Sequence, residues 1–378
     1  MELYNAISKK EKELRDKADR TNTPIGGTFE LTPLCNMDCR MCYVRLSPRE
    51  RDAHGTELSC EKWLDIAREG MEKSLLFILL TGGEPLIYPE FKRLFRELRR
   101  MGMICSVNTN GTLIDEKWAD FFAKEGVRQL NITLYGKDDA TYGRLCRYEK
   151  GYSSLRRALK ILNDRGIHYR LTTSLTPDNV DDLPEFFDIA EEFGAPLVPA
   201  AYMFPSVRRE DGARSFRLSP KEAAYAVIES YNRRFPDADR EQAALQTLMT
   251  TTLPSKSDIE GFPCHAGHSG FWINWRGEMT PCGMFDEPAI SLREHSFSEG
   301  WEYIRRETCR IHPCDECADC RLANICQVCP AACLTETGDV CQKPEYVCSM
   351  TKEMVSAMER VSGRSLDDLS QLHIIREI

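Results

Sequence analysis

No stretch of this 378-residue chain stays apolar for the ~20 residues that a membrane-spanning helix needs. The opening run MELYNAISKKEKELRDKADR lacks the apolar core of a secretory signal and reads as an exposed amphipathic helix. A cytoplasmic protein with no membrane partner is therefore expected. Dense basic stripes are missing as well, and the net charge is −9, which argues against nucleic acid as a partner. The acidity serves solubility. Low-complexity tracts are absent. With 42% hydrophobic and 29% charged residues the chain is an ordinary globular one, long enough for about two domains or one barrel with an appendage.

Cysteine is what the chain has in excess. There are 17, and a long chain without a secretory signal uses them for metal more readily than for disulfides. Three lie in one loop, Cys35-Asn36-Met37-Asp38-Cys39-Arg40-Met41-Cys42-Tyr43, and eleven fall between Cys264 and Cys348. Cys60, Cys105 and Cys146 are scattered and read as small buried hydrophobes. Thiolates select iron–sulfur clusters, zinc or copper(I). A cubane cluster takes about four protein ligands, one per iron. The loop supplies three, which leaves one iron free for a ligand that is not protein. Zinc sites favour C-x2-C pairs and four closed ligands.

From about residue 28 to 233 strand-like and helix-like segments alternate six times. The strand runs are Thr28–Pro33, Leu75–Thr81, Ile104–Thr109, Leu130–Tyr135, Tyr169–Leu175 and Leu197–Met203, apolar enough to be covered on both sides. Between them Trp63, Ile66, Ala67 and Met71, then Phe91, Leu94, Phe95 and Leu98, then Leu155, Ala158, Leu159 and Leu162 form helical stripes. Ser59 and Pro89 mark helix starts. Right-handed β-α repeats give a parallel sheet that curls toward a barrel, with chemistry at the C-terminal ends of its strands. The expected fold is α/β, a partial (β/α)6 TIM-like barrel followed by a small cysteine-rich iron–sulfur domain. Its parts are an N-terminal helix (1–27), the barrel (28–235), a helical connector (236–257), the cysteine-rich domain (258–350) and a C-terminal helix and tail (351–378).

The spacing C-x3-C-x2-C followed by an aromatic resembles the radical S-adenosylmethionine (SAM) superfamily, in which SAM chelates the open iron of a [4Fe–4S] cluster. The resemblance implies that Cys35, Cys39 and Cys42 are cluster ligands. Gly82-Gly83-Glu84-Pro85, at the end of the second strand, resembles the motif that receives the amino group of SAM. Asn108 and Thr109 close the third strand, and Asn131 and Thr133 lie on the fourth; they are expected to hold the ribose hydroxyls and carboxylate. Tyr43 is expected to face the adenine. Reductive cleavage of SAM would then yield a 5′-deoxyadenosyl radical that abstracts hydrogen from a substrate.

The second cysteine field resembles the SPASM domain of such enzymes, which holds two auxiliary [4Fe–4S] clusters. Cys264 precedes Gly277-x4-Cys282, then come Cys317-x2-Cys320-x5-Cys326-x2-Cys329 and a distal Cys348. The family spacing has x3 where this chain has x2 before Cys329. Matched by position, Cys317, Cys320, Cys326 and Cys348 hold the outer cluster, and Cys264, Cys282 and Cys329 the inner one. Cys333, Cys341, His265, His268 or an open iron complete the inner set, while Cys309 and Cys314 are surplus. A structural zinc ribbon is the alternative, since C-x2-C pairs also fit tetrahedral zinc.

The resemblance implies a peptide or protein substrate, crosslinked or oxidised at a side chain, and a flavodoxin- or ferredoxin-type electron donor. No catalytic side chain is assigned. One branch, the formylglycine-forming sulfatase-maturating enzymes, places an Asp directly after the cysteine of the G-x4-C element. This chain has Gly283 there, with Asp286 three residues on, which leads away from that branch. Only 34 residues precede Cys35, too few for a leader-recognition domain, so a separate leader-peptide-binding protein is an expected partner. The alternatives are a small-molecule dehydrogenase or epimerase, and a non-catalytic electron-transfer or zinc-binding protein.

Overall fold

The computed structural model describes residues 9–206, 216–234 and 261–365, apart from positions 313, 319, 324, 327 and 364. The expected connector over 236–257 and the tail beyond 365 lie outside the described residues. All six barrel strands are present: β1 (Gly26–Glu30), β2 (Phe77–Thr81), β3 (Ile104–Thr109), β4 (Gln129–Thr133), β5 (Tyr169–Ser174) and β6 (Leu197–Ala200). Each pairs in parallel with the next. Their partners are α1 (Lys9–Arg20), α2 (Pro48–His54), α3 (Cys60–Glu72), α4 (Phe91–Arg100), α5 (Glu116–Glu125), α6 (Asp139–Cys146), α7 (Gly151–Asp164), α8 (Leu183–Glu192) and α9 (Pro220–Arg234). No described helix is long and apolar enough to cross a membrane.

The helix starts follow local chemistry. Ser59 accepts a hydrogen bond from Lys62 N at the head of α3, and Ser47 with Glu50 forms a capping box on α2. The apolar stripes then meet the sheet. Phe29, Leu80, Val107, Leu130, Ile132, Leu171 and Leu197 are fully buried under the helices, and Trp63 stacks on Phe29 with ring centroids 4.8 Å apart. Phe91, Phe95, Trp118 and Phe122 interlock α4 with α5.

The strands are not covered on both faces, contrary to the reading of their apolar content. Alternate residues Thr28, Leu79, Ser106, Asn131 and Arg170 turn into the barrel and line an open interior. One apolar face was enough to make the runs look buried, because the inward positions are few and short strands give little alternation to read.

Among the described residues the sheet has nine strands rather than six, in the order β6-β5-β4-β3-β2-β1-β7-β8-β9. β7 (Gly270–Ile273) pairs in parallel with the free edge of β1, with Gly26 opposite Gly270. β8 (Glu278–Thr280) and β9 (Ile290–Ser291) follow antiparallel. The cysteine-rich half is thus stitched directly onto the barrel. It continues with α10 (Phe297–Thr308), α11 (Asp315–Ala318), α12 (Pro330–Thr337) and α13 (Glu345–Ser362). α13 starts at Glu345, before the expected boundary at 351, and packs along α9.

Candidate active site

The strand ends of β1, β2 and β3 carry three turns side by side, and together they form one site. The cysteine loop leaves β1 and lies against the end of α6, where Asp38 N donates to Cys146 O at 3.1 Å and Arg40 N to Leu145 O at 3.0 Å. Met37 N donates to Cys35 Sγ at 3.4 Å, and Arg45 N to Cys42 Sγ at 3.3 Å. Such N–H···S bonds stabilise the thiolates that a cluster requires. Without metal, burial and then the nearby Glu84 push the Cys35 thiol well above its ordinary range. Cys39 is raised first by its hydrogen bond to Cys146 and then by burial. Cys146 is buried as expected, but it lies against the loop. Tyr43 is half-buried at the loop's end.

The glycine turn after β2 is fastened to the start of that loop. Gly83 N donates to Thr32 O at 2.8 Å and Glu84 N to Leu34 O at 2.9 Å. A Cβ on Gly82 would lie 2.5 Å from Thr32 O, and one on Gly83 2.4 Å from Leu34 O. Only glycine lets the two backbones approach this closely.

The Glu84 side chain turns into the protein. Its carboxylate is wholly buried and accepts from Leu86 N at 3.1 Å, Thr109 Oγ1 at 2.9 Å and Asn110 N at 2.8 Å. Burial outweighs these donors and lifts its pKa to about 7. Glu84 and Thr109 thereby tie the β2 and β3 turns together. Asn110, overlooked in the sequence, then reaches Asn36 Oδ1 at 2.8 Å inside the cysteine loop and approaches Cys35 Sγ at 3.8 Å. Asn36 in turn donates to Thr112 Oγ1 at 3.0 Å. The signal was an Asn-Gly turn directly after a strand whose neighbours carry the motifs.

Lower in the barrel wall, Asn131 Nδ2 donates to Asn108 Oδ1 at 2.7 Å, and Arg170 Nε donates to Asn131 Oδ1 at 2.6 Å. Thr133 and Thr172 face each other across β4 and β5 at 3.5 Å. Of the residues expected on β3 and β4, Asn108 and Asn131 are thus bonded to each other, whereas Thr133 meets Thr172 and Thr109 meets Glu84.

The second field falls into two groups. Cys317, Cys320, Cys326 and Cys348 line one cavity of 40 Å³, with Lys343 and Thr351 at its edge. Leu322 N donates to Cys320 Sγ at 3.4 Å, and Thr351 Oγ1 to Cys326 Sγ at 3.3 Å. Separately, Cys264, Cys282 and Cys329 are close enough that the charge of Cys264 and Cys282 helps burial raise Cys329 to about 11. Met284 N donates to Cys282 Sγ at 3.4 Å. Among the described residues no three His, Cys, Asp or Glu side chains converge on a single ion. Cys314 hydrogen-bonds Cys317, and Cys333 is buried between the two groups. Cys341 is exposed. His265 is taken by Asp19 at 2.8 Å, and His268 Nε2 lies 3.1 Å from Phe262 O.

Residues 29–190 match the radical SAM superfamily. Those residues form a radical SAM domain. The superfamily's cofactors are SAM and a [4Fe–4S] cluster, and the Cys35, Cys39 and Cys42 loop with its N–H···S donors fits such a cluster. Among curated relatives, an AdoMet-dependent heme synthase of Oleidesulfovibrio alaskensis is 22% identical over 328 residues, covering 82% of this chain and 83% of the relative. A PqqA peptide cyclase of Granulibacter bethesdensis is 26% identical over 262 residues, covering 65% and 69%. The solved structure of anSMEcpe with bound AdoMet and Cp18Cys peptide superposes with a TM-score of 0.66 at 17% identity, covering 92% of this chain and 99% of that one. That likeness extends the shared fold through the radical SAM barrel into the cysteine-rich half.

Proposed function

We propose that this radical SAM enzyme modifies a side chain of a peptide or protein, forming a crosslink or an oxidised residue. The observation that carries the reading is the sorting of the second cysteine field into a four-thiol cavity and a separate three-thiol group, apart from the loop on the barrel. Cys317, Cys320, Cys326 and Cys348 would hold one auxiliary [4Fe–4S] cluster, and Cys264, Cys282 and Cys329 another. When bound, SAM and the loop cluster supply a 5′-deoxyadenosyl radical. The protein's part is positional. Gly82 and Gly83 let the turn lie against the cluster loop, where Gly83 and Glu84 donate their backbone N–H groups to Thr32 O and Leu34 O, and the Glu84 carboxylate braces the turn. Asn108, Thr109, Asn131 and Thr133 offer polar side chains for the ribose and carboxylate, with Tyr43 beside the adenine. The PqqA peptide cyclase relative supports a peptide substrate.

Gly283 supports the exclusion of formylglycine chemistry by an acid after Cys282. A Cβ there would lie 2.8 Å from the Trp272 ring, so a side chain has no room. A separate leader-peptide-binding protein, a flavodoxin- or ferredoxin-type donor and a cytoplasmic location complete the proposal. The heme synthase relatives favour a second reading, a small-molecule substrate. Anaerobic turnover with SAM and dithionite, alone and with candidate peptides from neighbouring reading frames, separates the two. A mass change in a peptide supports the first, whereas turnover of a small molecule with every peptide unmodified overturns it.

A further inference from the structure

The end of the barrel opposite the cysteine loop holds a cavity of 720 Å³ among the starts of β1 to β5, β7 and helix α1. That volume suits a small-molecule ligand. A closed TIM barrel fills its interior with branched apolar residues; here Thr28, Ser106, Gln129, Asn131 and Arg170 leave it open and polar.

The charges are unbalanced. Four cationic side chains (Lys12, Arg15, Arg128 and Arg170) line it against two carboxylates, Glu11 and Asp16, in a protein whose net charge is −9. Glu11 is shared, accepting from Arg15 Nε at 2.9 Å and Arg128 Nη2 at 2.8 Å. Arg170 is half-buried and has no acidic partner among the described residues. Its Nε is held by Asn131 Oδ1 at 2.6 Å, its two terminal amino groups make no hydrogen bond among the described residues, and the side chain lines the cavity. Burial and the charge of Arg128 both disfavour its cationic form. A guanidinium held at Nε, with its two terminal amino groups free, is arranged to grip two oxygens of one anion.

We propose that this lower barrel cavity binds a small oxyanion, a carboxylate or phosphate group, on Arg170 with Arg128 beside it. Because Asn131 links Arg170 to Asn108, occupancy would also be felt at the polar residues assigned to SAM. That coupling rests on the SAM reading, whereas the anion site does not.

The test reads binding rather than SAM cleavage. Titration calorimetry of the cluster-loaded protein with inorganic phosphate and with citrate is expected to show saturable binding, the tighter probe naming the class. Arg170→Gln should weaken it roughly ten- to hundredfold, the loss of a charge-assisted hydrogen bond. In the wild-type protein, phenylglyoxal labelling of Arg170, read by peptide mass spectrometry, should slow in the presence of the tighter anion. This second readout decides the matter if the variant does not fold. Absence of binding by both anions, unchanged affinity in Arg170→Gln, or labelling of Arg170 that neither anion slows overturns the proposal.

Discussion

Arg217 gives both terminal amino groups to the carboxylate of Glu336, with Nη2 and Oε2 3.0 Å apart, while its guanidinium lies over the Tyr346 ring at 3.6 Å. Tyr202, just past β6, donates to the same carboxylate at 3.0 Å. One ion pair thus bolts the end of the barrel to α12 and α13. The two side chains are only 10% and 7% exposed, so neither is well placed to be solvated alone.

Arg217→Met or Glu336→Gln is expected to cost about 3–5 kcal/mol, because each strands a buried partner. The double variant should recover much of that loss. Urea unfolding of all four proteins provides the cycle; additive losses would show that the two residues act independently.

Glu84 gives the protein a pH signature. Its folded pKa of about 7 lies above the ordinary 4.5, so from about pH 5 to 7 the folded state keeps a proton that the unfolded state has lost. Stability contributed at this position is therefore full at low pH and falls as pH rises. Relative to Glu84→Gln, which does not titrate, the cluster-free wild type should lose up to roughly 3 kcal/mol across that window. Denaturation curves for both proteins at several pH values check the sign. A difference that stays flat or grows with pH would falsify the assignment.

Metal content follows from the three thiol groups. Reconstituted protein is expected to hold about twelve irons, four for each of three cubanes. Replacing Cys35, Cys39 and Cys42 with Ala should remove about one third of them and abolish SAM cleavage. Iron and sulfide assays measure this, and zinc as the main metal would contradict it.

Cys282→Ala separates radical generation from completion of the reaction. The loop on the barrel is untouched, so 5′-deoxyadenosine should still form, uncoupled from product on the true peptide. Chromatography of both species reads the outcome. Full product formation would remove any obligatory role for the inner group, and precipitation would point to a folding role for its metal.

The cysteine spacings and helical stripes were legible because both depend on short-range periodicity. β3 begins and ends where its apolar run does, and the four thiols matched by position to the outer cluster line one cavity. Other features depend on distant neighbours and were not legible. That Thr109 and Asn110, some 25 positions away, enclose the Glu84 carboxylate is not legible. Cys314 reads as surplus until it meets Cys317. β7 to β9 are strands of two to four residues, too short for any alternation to declare them. The early start of α13 did have a signal, Pro344 followed by an acid in the first turn.

The pairing of β1 with β7 also sets an order of assembly. Gly26 leaves the ribosome long before its partner Gly270, and until then one full edge of β1 offers unpaired N–H and C=O groups. Closing so distant a contact is slow. A fragment ending at residue 234 would retain the SAM-binding loop yet expose that edge beside it, together with the carboxylate of Glu30 that Trp272 Nε1 otherwise meets at 3.0 Å. The cysteine-rich half therefore acts as a lid on the nascent sheet, and the barrel is expected to associate with copies of itself when expressed without it.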